Sequence, residues 1–342
     1  MDSSSSHPPV DVSVLTPVLN EGRDVRETVR AMQRQRFDGR IEFLFADGAS
    51  TDDTRAVLRE LAQEDDRIVV LDNPGRTTPA GLNVCLAHAR GEFVARMDAH
   101  TLYPEDYLAV GVERLRRGDA AWVAGPQVAE ARGPVSRGVA LALRSWLGRG
   151  SSRRWGHTDA DGEYDLDTGV FTGVWRRETV VRFGGWDERW PINQDAEMAA
   201  RFLERGERIV GVPAMAARYF PRESWRGLAR QYGRYGTYRA LTALHHPSSL
   251  RTSNLLSPGL ALAALAAVAG PRPVRSLAWT GLGAYGLALA GASAGTVRRE
   301  GAEALTMPAA LATMHLSYGL GFLAGCARFG VPVEALARAV GR

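Results

Sequence analysis

The chain has 342 residues, 45% of them hydrophobic, which is enough to bury a sizeable core and to divide into two parts. Its 42 basic and 38 acidic residues leave a net charge of +4 and are interleaved along the whole length, which argues against a nucleic-acid-binding patch. Two cysteines, Cys85 and Cys326, stand in unrelated contexts and exclude both a disulfide framework and a cysteine metal cluster. Every basic residue is arginine. That suits phosphate chemistry, but a biased base composition is the simpler explanation.

The opening "MDSSSSHPPVDV" is polar, lacks the pattern of a signal peptide, and reads as a disordered leader over residues 1–10. Short β-rich runs then alternate with amphipathic helical runs up to about residue 124, the pattern of βαβ units and a mainly parallel sheet. "VSVLTPV" is the first expected strand, and "DVRETVRAMQRQ", with Val25, Val29 and Met32 at helical spacing behind Asp24, the first helix. "IEFLFADG" and "RIVVLDN" are further strands around a helix in "STDDTRAVLRELAQ" that opens with capping residue types. "PAGLNVCLAHARG" predicts a helix opened by Pro79, and "EFVARMDA" a fourth strand. Asp47, Asn73 and Asp98 all fall at the carboxyl ends of strands, where open α/β sheets bind ligands.

Residues 125–250 are less regular, with helices expected in "DAEMAARFLERG" and "GLARQYGRYGTYRAL". Composition changes after Arg251. Residues 252–271, 276–297 and 304–327 carry no charged side chain, and each is about long enough to span a bilayer core, so residues 251–342 read as an apolar helical membrane region. The flanking arginines do not fix an orientation. Within this region "GLGAYG" and "GASAG" imitate nucleotide-binding and nucleophile motifs. Neither follows a strand, and small residues that let helices approach closely are the simpler reading.

The acidic turns carry the chemistry. "TPVLNEG" places Glu21 after the first strand, and "FADGASTDDT" places Asp47 before Ser50 and a helix N-terminus. In "ARMDAH", Asp98 and His100 are two apart, so an extended backbone would turn both toward one divalent cation, with the imidazole favouring Mn²⁺ over Mg²⁺. Local capping explains that pair equally well. His157, Asp159, Asp161 and Asp165 also cluster, but their spacing does not complete a calcium loop and a solvated loop is the better reading.

Taken together, "VSVLTPVLNEG", "FADGASTDDT", "ARMDAH", "FGGWDERWPINQDAEMAARF" and "RQYGRYG" resemble, in order, the inverting family 2 glycosyltransferases of the GT-A fold. The likeness is nearest to the succinoglycan-type exopolysaccharide glucosyltransferases. It implies an α/β nucleotide-sugar-binding domain over residues 11–250, followed by the apolar helices. Pro17, Glu21, Asp47 and Ser50 would hold the nucleotide of a UDP-sugar or its equivalent. Asp98 and His100 would form a variant of the family's Asp-x-Asp metal motif, with His100 where a second carboxylate is usual. Asp195 would be the catalytic base. Trp186, Glu197 and Gln231 would face the acceptor, and Arg234 the diphosphate; Tyr235 replaces the tryptophan of processive relatives.

The reaction itself requires such groups: a base for the acceptor hydroxyl and positive charge for the leaving diphosphate. Without the full motif set Asp195 reads as a helix N-cap, Glu197 as a helix-dipole partner, Trp186 and Trp190 as core residues and Arg222 as surface charge. The expected acceptor is a saccharide, carried on a polyprenyl lipid at the inner membrane, with the catalytic part facing the cytoplasm. Two rivals are a sugar nucleotidyltransferase, which would need a glycine-rich basic loop where "TPVLNEGRD" has an acid, and a non-catalytic membrane scaffold.

Overall fold

The computed structural model describes residues 9–150, 155 and 162–341. In chain order the first half runs β1 (Val12–Val18), α1 (Val25–Gln33), β2 (Ile41–Asp47), α2 (Thr54–Glu64), β3 (Ile68–Asp72), α3 (Thr78–His88), β4 (Phe93–Arg96), β5 (Thr101–Leu102), α4 (Tyr107–Arg116) and β6 (Trp122–Ala124). Then come β7 (Gln127–Ala129), α5 (Pro134–Arg144), α6 (Trp146–Arg149), β8 (Tyr164–Asp165), β9 (Gly173–Arg176), α7 (Arg177–Arg182), α8 (Gln194–Glu204), β10 (Ile209–Gly211) and β11 (Ala217–Tyr219). The chain closes with α9 (Trp225–His245), α10 (Leu256–Ala269), α11 (Arg272–Glu300), α12 (Met307–Phe329) and α13 (Val333–Val340).

Contacts divide the chain into two compact units, one of Met1–Pro126 with Thr158–Arg218 and one of Gln127–His157 with Tyr219–Arg342. Composition alone drew the boundary near residue 250. Hydropathy registers only where the chain becomes apolar, whereas α5 and α9 precede that change and pack on α12.

In the first unit eight of the described strands form a sheet of order β3-β2-β1-β4-β9-β6-β10-β8. β3, β2, β1 and β4 are parallel, and β9 runs antiparallel between β4 and β6. All seven residues of β2 are buried, as a strand covered on both faces requires. Alternation sorts the side chains. Val12, Val14, Phe43 and Phe45 join Val25, Val29, Leu58 and Leu61 of α1 and α2 in one core. Leu15, Leu44 and Ala46 join Leu82 and Cys85 of α3 and Met198 and Phe202 of α8 in the other.

Connections from β1 lead outward to β2 and β3, and the chain then returns to place β4 on the other side of β1. That reversal opens a crevice at the carboxyl ends of β1 and β4, the general ligand position in such sheets.

The second unit is helical around α12. Helices α9 and α12 cross closely enough that a Cβ on Gly236 would lie 2.0 Å from the Tyr318 carbonyl, and one on Gly321 would lie 2.0 Å from that of Gly233. Small residues at a helix crossing permit this approach. The glycines of "GLGAYG" and "GASAG" behave otherwise. α11 runs unbroken through both motifs, yet a Cβ on Gly281, Gly283, Gly286 or Gly291 would meet nothing within 4 Å, so no described helix of this chain packs closely on them.

Two segments, Thr252–Ala269 and Ala304–Phe329, are long and apolar enough to cross a membrane by length and composition, with mean hydropathies of 1.5 and 1.2. The expected middle span lies in α11 and falls short, because glycine, serine and threonine dilute its apolar residues. Apolar side chains nevertheless stand out from the helices, among them Val268 on α10 (80% exposed) and Leu277 on α11 (74%).

Candidate active site

The turns after β1 and β2 are laced together by side chains. The Asn20 amide donates to Ser50 Oγ (2.9 Å), Thr51 N–H to Asn20 Oδ1 (2.8 Å), Glu21 N–H to Thr54 Oγ1 (2.8 Å) and Gly22 N–H to Asp52 Oδ2 (3.0 Å). Asp52 also accepts from the Thr54 hydroxyl at 2.5 Å, and that bond leads the interactions that hold its pKa below the ordinary carboxylate value. Backbone strain concentrates here. Among the described residues the non-glycine positions with positive φ are Asn20 (57°), Ala49 (59°), Arg76 (54°) and Asn193 (64°). The first three sit in the turns after β1, β2 and β3, and the fourth opens α8. Such conformations cost about 1–3 kcal/mol each and cluster where a backbone must present groups to a ligand.

Asp47, at the end of β2, is buried, accepts from Ser50 N–H (3.2 Å) and faces Arg55 Nη1 (3.4 Å), whose Nη2 reaches Asp72 at 2.5 Å. Pro17 lies in β1 beside Ala46 in the parallel register. Asn73 donates to the Thr77 carbonyl (3.0 Å), while its Oδ1 is buried with no hydrogen-bond partner.

At the end of β4 the structure departs from the spacing argument. The strand stops at Arg96, and residues 98–101 form a turn closed by Thr101 N–H on the Asp98 carbonyl (3.2 Å). Strand alternation therefore does not align Asp98 with His100. His100 instead places Nδ1 3.2 Å from Glu21 Oε1, joining the turns after β4 and β1 across the crevice. Asp98 turns to Arg96, which grips it with Nε on Oδ1 (2.7 Å) and Nη2 on Oδ2 (2.9 Å). The Asp98 amide donates to the Tyr103 hydroxyl (2.7 Å), a phenol whose pKa burial pushes up and so keeps neutral.

Arg96 escaped the sequence reading. Its signal was the same two-residue spacing already noted for Asp98 and His100, displaced by one step toward the strand. Among the described residues no three His, Cys, Asp or Glu side chains are grouped so as to hold a metal. The donors present still suit one. A carboxylate oxygen has two lone pairs, and the Arg96 fork takes one on each oxygen of Asp98. The imidazole of His100 is a nitrogen donor of the kind that Mn²⁺ accepts.

Asp195 is the second residue of α8, half-buried, with Asn193 rather than Asp195 at the N-cap. A Cβ on Gly169 would lie 2.1 Å from the Asp195 carbonyl, so this backbone approach requires glycine. Glu197 is buried and forms a two-bond ion pair with Arg201 (2.6 and 2.9 Å), which in turn donates to the Phe183 and Gly185 carbonyls. Asn83 on α3 fixes the same loop through Trp186 N–H (2.9 Å) and the Trp186 carbonyl (2.8 Å). Gly184 and Gly185 supply the positive φ values, 80° and 68°, that the loop needs.

One expectation for acceptor contacts is corrected. Trp186 is 2% exposed and packs edge-on against Trp175 in the core, so its ring has no face for a sugar. Glu197 pairs with Arg201, and through it ties α8 to the 183–186 loop. In the second unit, Gln231 on α9 donates to the Tyr235 (2.9 Å) and Tyr219 (3.3 Å) hydroxyls, and Arg234 is exposed. His157, Asp159 and Asp161 lie outside the described residues, and Asp165 pairs with Arg208 at 2.6 Å.

This arrangement has known counterparts. Residues 13–169 match the family model described as Glycosyl transferase family 2. A succinoglycan biosynthesis protein of Rhizobium meliloti, ExoA, is 32% identical over 239 residues, 68% of this chain and 70% of that protein. A dolichyl N-acetyl-α-D-glucosaminyl phosphate diacetamidodideoxyglucuronosyltransferase of Methanococcus voltae is 22% identical, over 67% of this chain and 73% of its own length. A mannosyltransferase from Pyrobaculum calidifontis, solved with GDP-Man and Mn²⁺, superposes with a TM-score of 0.54 at 20% identity, covering 90% of this chain and 86% of that one. The last likeness bears on the fold alone. With identity to ExoA carried across two thirds of both chains, and the family model spanning the strand-end turns that build the crevice, the chain belongs to glycosyltransferase family 2, with a catalytic unit of the GT-A fold.

Proposed function

We propose that the enzyme moves a hexose from a nucleotide-diphosphate sugar, a UDP-sugar in the first instance, to a hydroxyl of a polyprenyl-linked saccharide, by a single displacement that inverts the anomeric centre. The observation that supports this most is the junction of Glu21 with His100 across the crevice, which joins the turn carrying Asp98 to the laced nucleotide turns.

In this reading Pro17, Glu21, Asp47 and Ser50 bind the nucleoside. Asp98, with His100, holds a divalent cation, Mn²⁺ or Mg²⁺, which when bound neutralises the leaving diphosphate. Asp195 accepts the proton of the acceptor hydroxyl as its oxygen bonds to the anomeric carbon and the bond to the diphosphate breaks. Arg234 meets the diphosphate and Gln231 the acceptor, while Glu197 positions α8. The mannosyltransferase of like fold was solved with GDP-Man and Mn²⁺, and the Methanococcus relative is named for a dolichyl-phosphate-linked substrate, which supports the donor class, the cation and a lipid-linked acceptor. The apolar segments and the exposed Val268 and Leu277 support an inner-membrane location, with the catalytic unit in the cytoplasm.

The test is nucleotide release by the full chain in detergent, with UDP- and GDP-sugars, Mn²⁺ or Mg²⁺, and lipid-linked acceptors. Metal-dependent release with one donor, lost in Asp195→Asn and Asp98→Ala, is expected. Release that persists in Asp195→Asn would remove Asp195 as the base. No release with any donor would favour the scaffold.

A further inference from the structure

Arg96 is a buried guanidinium held between carboxylates of the site. Its side chain and that of Asp98 are 5% and 9% exposed, and the two are joined through both nitrogens and both oxygens. Burial opposes its charge, while the charge and hydrogen bonds of Asp98, with the charge of Asp195, favour it and leave its pKa above the ordinary value. A guanidinium does not deprotonate in a protein, so a fixed unit of positive charge sits against the Asp98 carboxylate.

Two consequences follow from the charge alone. Free Mn²⁺ approaching Asp98 meets a carboxylate that is already neutralised and a like charge beside it. A nucleotide diphosphate arriving with the cation brings negative oxygens, which the same guanidinium attracts.

We propose that Arg96 is a positioning residue that suppresses cation binding by the free protein and makes the site take its cation together with the nucleotide diphosphate. The proposal rests on the reading of Asp98 as a cation ligand. It gives Arg96 a role that neither the metal motif nor the base assigns to it, and it accounts for a permanent charge placed where a site built for the bare ion would leave the carboxylate open.

The test measures Mn²⁺ binding by the full chain in detergent from the electron paramagnetic resonance signal of free Mn²⁺. It is run with and without UDP or GDP, allowing for Mn²⁺ held by the nucleotide in solution. A unit charge at this range changes a neighbouring charged equilibrium by about 10- to 1000-fold. Wild type is accordingly expected to bind Mn²⁺ at least about tenfold more tightly with nucleotide than without. Arg96→Gln is expected to raise the affinity of the protein alone by about tenfold or more and to shrink the nucleotide's effect. Arg96→Lys, which keeps the charge and loses the fork, should retain the wild-type pattern.

The proposal is overturned if a cooperatively melting Arg96→Gln binds Mn²⁺ no better than wild type. It is also overturned if wild type binds Mn²⁺ equally with and without nucleotide, a result that needs no variant to fold. No Mn²⁺ binding under any condition removes the cation reading and this proposal with it. The expected binding pattern without sugar transfer would remove the transferase mechanism and leave Arg96 in its role.

Discussion

Gly169→Ala adds one methyl group and touches no reacting group, yet it should slow the enzyme sharply. A Cβ there would sit 2.1 Å from the Asp195 carbonyl oxygen and 2.5 Å from its carbon, where real contacts begin near 3.0 Å. The neighbour is backbone at the start of α8 and cannot swing aside, so the helix N-terminus must retreat by about 0.9 Å. A displacement of that size at a catalytic group costs about a hundredfold in rate, or about 2.7 kcal/mol in the barrier. Overpacking should lower stability by about 1–3 kcal/mol. The assay is steady-state nucleotide release beside a denaturant melt and a nucleotide binding titration. Loss of kcat with nucleotide affinity preserved is expected, because the added methyl group presses on the start of α8, an element apart from the turns after β1 and β2. A folded variant with wild-type kcat would refute the argument, showing either that Asp195 is not the base or that its placement is not critical.

Three further outcomes are expected. Glu197→Gln leaves Arg201 with only neutral acceptors and should cost about 3 kcal/mol in a urea melt; adding Arg201→Met should recover part of that, and a single variant within 0.5 kcal/mol of wild type would contradict the pairing. Asp65, gripped by Arg67 and by Gln33, is lowered from 3.8 to about 2. Its stabilisation is therefore present above the unfolded value and lost as pH falls through about 2, so Asp65→Asn should cost about 1 kcal/mol at pH 7, after allowance for the exposed Arg67, and the gap should close on acidification below about pH 4. Cys85 is fully buried, with its thiol pushed up to about 12 by desolvation, and should resist thiol reagents in the native protein; rapid modification at pH 8 without unfolding would show that α3 opens.

Local physics made much of the first unit legible. β1 and β2 begin and end within a residue of the runs "VSVLTPV" and "IEFLFADG", because a strand buried on both faces is rich in apolar, β-branched and aromatic residues. α3 opens at Thr77, whose hydroxyl accepts from Ala80 N–H, with Pro79 in the first turn, both readable as residue types. The acidic residues at strand ends were equally visible, since sheets of this kind bring those ends to one edge.

Pairing across the chain was not visible, and it decided the chemistry. Glu21 and His100 are 79 residues apart and meet because β4 returns to lie beside β1. Asp98 pairs with Arg96 instead of sharing an extended face with His100, because the strand ends one residue before Met97 and the turn swings His100 toward Glu21. Trp186 reads equally as an aromatic anchor for a sugar and as a core residue; Asn83, on another element, holds the loop where the ring enters the core. Capping, strand alternation and hydropathy depend on neighbours a few residues away, and the sequence by itself determined what they control: the strands and helices, the apolar C-terminal segments and the acids waiting at strand ends. Which charge faces which, and which helix is packed or left exposed, depends on close approach between distant segments, and only the tertiary structure decided it.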